Sequence, residues 1–217
     1  MMADWKLRTT APELAARYKA EGSWTDETLA SVLDRTLRAN ADLALRVWSD
    51  QRPFVGSVGR VHELARRVAA GLRASGIGPG DVVAFQIPSW VEAAATFWGI
   101  AQSGAAILPI VHFYGPREVG FILRQSGARA FVTADRFRSL DYLASLEGVR
   151  AEARELELVV TIGAPPEGAI GFDALTDHAP EGRLPEIDPA APAVIAYTSG
   201  TTAEPKGVVH THHSILA

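Results

Sequence analysis

The feature that most constrains this chain is a repeated pairing: a short run of apolar residues, then a stretch with apolar side chains at helical spacing. The runs are VVAFQI (82–87), AAILPI (105–110), RAFVT (129–133), LELVVTI (156–162) and AVIAYT (193–198). A strand apolar on successive residues must be covered on both faces, unlike a half-exposed strand, which alternates. Between the runs, Val61, Leu64, Ala65, Val68, Ala69 and Leu72 follow helical spacing, with Gly76 as a stop. Ser89-Trp90-Val91-Glu92 reads as a capping box opening a helix that ends at Gly104, and Pro116 opens another that Gly127 ends. A further helix is expected near Phe137 to Leu146. Upstream, Thr28 to Arg38 forms an amphipathic helical pattern and Ala44 to Trp48 a short strand. The fold class is therefore α/β, a mostly parallel sheet flanked by helices.

Four segments divide the chain: an N-terminal lead-in (1–57), an α/β subdomain (58–162), a connecting segment (163–192) and the start of a second sheet (193–217). The connecting segment holds Pro165, Pro166, Pro180, Pro185 and Pro189, and has room for one short helix at Phe172 to His178. The 217 residues are enough for a sizeable core, and 47% hydrophobic content is that of a globular chain. A net charge of −4 supplies no basic excess, which argues against nucleic acid as principal partner. The chain has no cysteine, which removes disulfides, thiol nucleophiles and Cys-based metal sites. Its first residues carry no secretory signal, and the apolar stretch from Ala93 to Val111 is split by Gln102-Ser103-Gly104 and Pro109, so no transmembrane segment and a cytoplasmic location are expected.

The most informative segment is Thr198 to Gly207, TSGTTAEPKG, between the last apolar run and the strand-prone VVHT. Hydroxyl side chains, backbone N–H groups freed by glycine and the ammonium of Lys206 together suit the oxygens of a polyphosphate. It is not a Walker A loop, in which Gly-Lys-[Ser/Thr] opens a helix, because Lys206 here precedes Gly207 and strand-formers follow. The dinucleotide fingerprint Gly-x-Gly-x-x-Gly is also missing after every expected strand. Composition alone leaves an exposed polar turn as an equal alternative.

The string YTSGTTAEPKGVVHTH (197–212) resembles the phosphate-binding signature of the adenylate-forming (acyl-CoA synthetase, AMP-binding) superfamily. GDVVAFQIPSWVEAAATFWGIAQSGAAILPI (80–110) and EVGFILRQSGARAFV (118–132) are similar to the family's upstream segments, so the resemblance covers about Val58 to His212. YKAEGSW (18–24) and the His-Thr-His after the loop lean toward fatty-acid or cyclic-carboxylate CoA ligases. The resemblance implies the N-terminal part of the adenylate-forming fold, truncated, and an acid–thiol ligase. A small-molecule carboxylate and ATP give acyl-adenylate and pyrophosphate, and CoA then displaces AMP. It implies that Thr198, Ser199, Gly200, Thr201, Thr202, Lys206 and Gly207 contact the ATP phosphates, with Mg2+ near Thr198. The acyl pocket, an aromatic-Gly-x-Thr-Glu segment and a catalytic lysine are expected downstream, so the chain is expected to be a fragment, inactive without its C-terminal part. An exposed apolar edge is expected where that part would pack. The alternatives are a catalytically idle nucleotide-binding or interaction module, and an adenylation domain loading a carrier protein. Ala203 stands where the signature has glycine, which implies strain if that position needs φ > 0.

Other groups have plainer readings. His210, His212 and His213 suggest a metal site, but lack a carboxylate at ligand spacing, and a local hydrogen-bonding role is expected for His212. Trp90, Phe97 and Trp98 are expected in the core, His112-Phe113-Tyr114 as a loop plugging it, and Arg60, Arg66, Arg67 and Arg73 on a solvated helix face.

Overall fold

The computed structural model describes residues 9–144, 146–180, 182–198 and 205–217. Its centre is a seven-stranded sheet in the order β11-β10-β4-β3-β5-β8-β9. The strands, in chain order, are β3 (Val82–Gln86), β4 (Ala106–Pro109), β5 (Ala130–Ala134), β8 (Leu158–Ile162), β9 (Ile170–Gly171), β10 (Pro192–Thr198) and β11 (Lys206–Thr211). All pairings are parallel except that of β11 with β10. Every residue of β3 and β5 is buried, as their unbroken apolar runs require.

Helices seal both faces. Val83 and Phe85 point into one layer with Val68 and Leu72 of α3 (Val58–Ala74), Ile100 of α4 (Val91–Ser103) and Leu175 of α7 (Phe172–Thr176). Ala84 points the other way, to Ile122 and Leu123 of α5 (Pro116–Ser126) and Val149 of α6 (Leu146–Glu152). Gly104 and Gly127 take left-handed backbone, φ 89° and 62°, and end α4 and α5 where expected. The α3–α4 crossing is tight at Gly99: an added Cβ would stand 2.7 Å from the Ala65 carbonyl oxygen and 2.7 Å from Val68 Cβ.

Five features differ from the sequence expectations. β10 joins β4 with Val194 opposite Ile107, so the strands around the loop extend the first sheet and do not begin a second one. The connecting segment contributes β9, two residues paired in parallel with β8, directly before α7. α4 starts at Val91 with Trp90 at its N-cap and no side-chain cap, so the Ser89 capping box does not form. The residues expected as a helix from Phe137 to Leu146 instead make a hairpin, β6 (Arg136–Phe137) against β7 (Leu140–Asp141), before α6. Asp141 pairs with Arg136 at 2.7 Å and accepts from the Leu143 and Ala144 amides, while Phe137 packs edge-on against Trp90 at 5.9 Å; these contacts outweigh helical propensity. Finally, the 112–114 segment plugs the core only in part: Tyr114 packs against it, but Phe113 is 65% exposed.

The lead-in packs as α1 (Pro12–Ala20), α2 (Leu29–Ala39) and a hairpin of β1 (Ala44–Val47) with β2 (Phe54–Ser57). Thr28 caps α2 through a reciprocal bond with Ser31. This segment is tied to the far end of the chain, where α8 (His212–Leu216) follows β11. Buried His212 accepts from the Leu29 amide through Nδ1 at 3.0 Å, which puts its ring proton on Nε2. His213 stacks on Trp24 at 4.3 Å with planes 6° apart, and its Nε2 lies 3.2 Å from the Thr25 carbonyl oxygen. These histidines thus serve as joints between distant segments. Exposed apolar side chains include Val208 on the edge strand β11, near the loop, and Ile215 on α8, which follows the opposite end of that strand. Among the described residues no helix is long and apolar enough to cross a membrane.

Two predictions follow from this packing. Gly99→Ala is expected to cost about 1–3 kcal/mol, read as a fall of several degrees in thermal midpoint at about 2–4 °C per kcal/mol. Burial, then the neighbouring His213, holds His212 below its ordinary value, and burial does the same to His62. Below a pH of about 6.5 the unfolded chain therefore binds more protons than the folded one, so stability is complete above that pH and declines as pH falls through it. Thermal midpoints from pH 8 to pH 5 should trace that decline. His212→Asn keeps an acceptor for Leu29 without a titrating ring, and should flatten the decline while His62 maintains part of it.

Candidate functional site

Because β10 runs parallel to β4, it ends at Thr198 on the edge where β3, β4, β5 and β8 also end. In an open α/β sheet this carboxyl edge is where ligands bind, at the point where connections leave in opposite directions. Here the chain passes from β3 to β4 on one side, then crosses β3 to reach β5 on the other. The TSGTTAEPKG segment leaves the sheet at this edge, from Thr198.

Ser199, Gly200, Thr201, Thr202 and Ala203 lie outside the described residues. The stem that carries them is described. Thr198 stands opposite Lys206, Tyr197 opposite Gly207 and Ala196 opposite Val208 in the antiparallel ladder. Thr198, Lys206 and Gly207 are all exposed, so the hydroxyl and the ammonium stand as cross-strand neighbours with access to solvent. Gly207 has a packing reason to lack a side chain: an added Cβ would stand 3.0 Å from Tyr197 Cζ and 3.2 Å from its hydroxyl oxygen. The Tyr197 hydroxyl donates to Gln125 Oε1 at 2.8 Å, and burial pushes the phenol up to about 12, so it is a neutral donor at any working pH.

Along the same edge lies a cleft of about 480 Å³ lined by Trp48, Ser89, Trp90, His112, Phe137 and Arg138, among others. Its walls come from the β1–β2 turn, the β3–α4 connection, the residues after β4 and the β6–β7 turn. Arg138 holds φ 53°, a left-handed backbone unusual for a side-chain-bearing residue, with its guanidinium 5.2 Å from the Phe137 ring centre. Trp90 is buried in the core and forms one wall of the cleft. Phe97 meets Phe85 edge-on at 6.5 Å and Trp98 packs beside Val61 and Val91, both core roles. Of the arginines expected on a solvated face, Arg73 donates to the Gln102 carbonyl at 2.9 Å and Arg67 to that of Thr176 at 3.4 Å, which fastens α3 to its neighbours.

Sequence reasoning missed Gln86 and Arg138. Buried Gln86 ends β3, and its amide nitrogen donates to the Val111 and Tyr114 carbonyls at 3.2 and 3.0 Å, holding the chain beyond β4. The one polar residue among the apolar positions of VVAFQI was the available signal. Arg138 had none, since its strained backbone follows from the hairpin.

Comparison with known proteins agrees with this arrangement. The AMP-binding enzyme family matches residues 49–217. A salicyl-AMP ligase / salicyl-S-ArCP synthetase of Mycobacterium tuberculosis is 32% identical over 203 residues, 91% of this chain and 35% of that protein. 4-Coumarate–CoA ligase 3 of Oryza sativa subsp. japonica is 35% identical over 157 residues, 72% of this chain and 27% of that protein. Among solved structures, the anthranilate CoA ligase AuaEII in complex with anthranoyl-AMP superposes with a TM-score of 0.77 at 25% identity, over 88% of this chain and 36% of its own. The chain thus spans about a third of the length of these relatives. With a family match across most of its length, on a fold that superposes on a CoA ligase, the chain belongs to the AMP-binding enzyme family.

Proposed function

We propose that this chain is the N-terminal, phosphate-holding part of an ATP-dependent acid–thiol ligase that activates a small carboxylic acid as its adenylate and passes the acyl group to CoA. The observation that carries the reading is the loop stem: TSGTTAEPKG leaves the sheet at its ligand-binding edge, with Thr198 opposite Lys206. The carboxylate oxygen attacks the α-phosphorus of ATP, the bond to the bridging oxygen breaks, and pyrophosphate leaves with that electron pair. The CoA sulfur then attacks the acyl carbon and AMP departs. The attacking groups belong to the substrates, so a chain without cysteine suffers no chemical deficit, and the protein's part is alignment and charge stabilisation.

The residues present suit a triphosphate. Lys206 brings a mobile positive charge to phosphate oxygens, and Thr198, with Ser199, Thr201 and Thr202, brings neutral donors. Gly200 leaves room for backbone to approach an oxygen. Gly207 serves the stem, through the ring of Tyr197. The Thr198 hydroxyl is a hard oxygen donor suited to Mg2+, which when bound would neutralise phosphate charge. A cytoplasmic location, where ATP and CoA are at hand, belongs to the same reading.

A second reading, with a carrier protein as thiol acceptor, is favoured by the match to a relative whose name includes salicyl-S-ArCP synthetase. Both share the first half-reaction. Carboxylate-dependent exchange of pyrophosphate into ATP by the full-length protein tests that step, and acyl transfer to CoA or to a carrier protein separates the two. Failure to bind magnesium-ATP or to exchange with any carboxylate would leave only an idle module.

Two substitutions test the loop directly. Lys206→Met should weaken magnesium-ATP about 10-fold or more by calorimetry, the loss of a charged hydrogen bond worth about 1.5–3 kcal/mol. Ala203→Gly should tighten binding about fivefold, if the loop needs a left-handed backbone there at about 1 kcal/mol for alanine; equal affinity would show that the position accepts a side chain.

A further inference from the structure

The residue before the loop occupies a place that phosphate chemistry does not explain. Tyr197 is the last but one residue of β10, and its ring lies across Gly207 of β11, at a cross-strand pair one step inside Thr198 and Lys206. Its hydroxyl reaches off the sheet to Gln125 in the last turn of α5, at 2.8 Å. Three elements thus converge on one aromatic ring. Among the described residues β11 is an edge strand that pairs with β10 alone, so no strand beyond it braces the hairpin.

We propose that Tyr197 is a positioning residue for the phosphate loop: its ring, seated over Gly207 and held by Gln125, fixes the hairpin stem that sets Thr198 and Lys206 opposite one another. The proposal rests on the phosphate-binding reading above and extends it to two residues outside the loop. Tyr197 touches no phosphate in this account, because its hydroxyl is spent on Gln125. The ring acts through the stem. A wider hairpin would carry Lys206 away from Thr198, and Gly207 is the residue whose missing side chain leaves room for the ring. Gln125 supplies an acceptor only, so a carboxylate in its place keeps the bond and an apolar residue loses it.

The test uses the full-length protein with Tyr197→Phe, Gln125→Ala, Gln125→Glu and the double variant Tyr197→Phe/Gln125→Ala. Magnesium-ATP affinity is read by calorimetry and stem opening by amide hydrogen exchange at Lys206 to Val208. Tyr197→Phe and Gln125→Ala should each weaken magnesium-ATP and speed stem exchange about 2- to 10-fold, the range of one neutral hydrogen bond. The double variant should be no worse than either single one, since both remove the same bond. Gln125→Glu should retain wild-type affinity and exchange. Wild-type affinity and exchange in both single variants would overturn the proposal while the phosphate-binding reading stands. Losses that add in the double variant, or a Gln125→Glu variant as impaired as Gln125→Ala, would overturn it too. No magnesium-ATP binding by the wild-type protein would overturn the phosphate-binding reading itself, and this proposal with it.

Discussion

The arrangement depends on the complete burial of β3. Every residue of this strand is enclosed, and it pairs in parallel with β4 on one side and β5 on the other. A strand apolar on both faces needs a helical layer above and below, and parallel neighbours need crossover helices, so α4 and α5 fall on opposite faces. From that follows the functional geometry: all parallel strands end at one edge, the connections diverge there, and both the aromatic cleft and the loop after β10 stand along it. The tight crossing at Gly99 serves the same end by bringing α3 close enough to seal one face.

The central strands were legible in the amino-acid sequence because burial on both faces leaves a contiguous apolar run, a signal that needs no knowledge of the partner strand. The helix ends at Gly104 and Gly127 were legible for a local reason, the left-handed backbone that glycine accepts. What escaped was set by contacts distant in sequence. β9 is two residues long and exists because β8 offers an edge. The β6–β7 hairpin replaces a helix because Phe137 has Trp90 to pack on and Asp141 has amides to accept from. Joining β10 to β4 rather than to a second sheet was likewise a choice among apolar partners that periodicity cannot rank.

The candidate site divides in the same way. Its chemistry was readable as composition, hydroxyls with glycine and a lysine, and its family from the longer string around it. Its mechanics were not. Gly207 reads in sequence as part of a phosphate-binding string, yet in the structure its missing side chain makes room for Tyr197, whose hydroxyl is anchored on a helix seventy-two positions away in the chain. The histidines after the loop carry the same lesson. As a cluster they suggest a metal, but His212 accepts from the start of α2 and His213 stacks on Trp24.

These anchors give the β10–β11 hairpin a definite mechanical character. One strand leads in from the sheet through buried Ala193, Val194 and Ile195, next to β4. The other leads out to α8, which two imidazoles fasten to the lead-in segment. Between them, Tyr197 ties the stem to α5. In the proposed phosphate-binding role, a loop carrying a lysine and several hydroxyls benefits from such a frame, because preorganised donors need not be gathered when charge develops on a phosphate. The framing contacts lie on elements drawn from the lead-in, the middle and the end of the chain, so the stem is held by tertiary packing as well as by its own ladder.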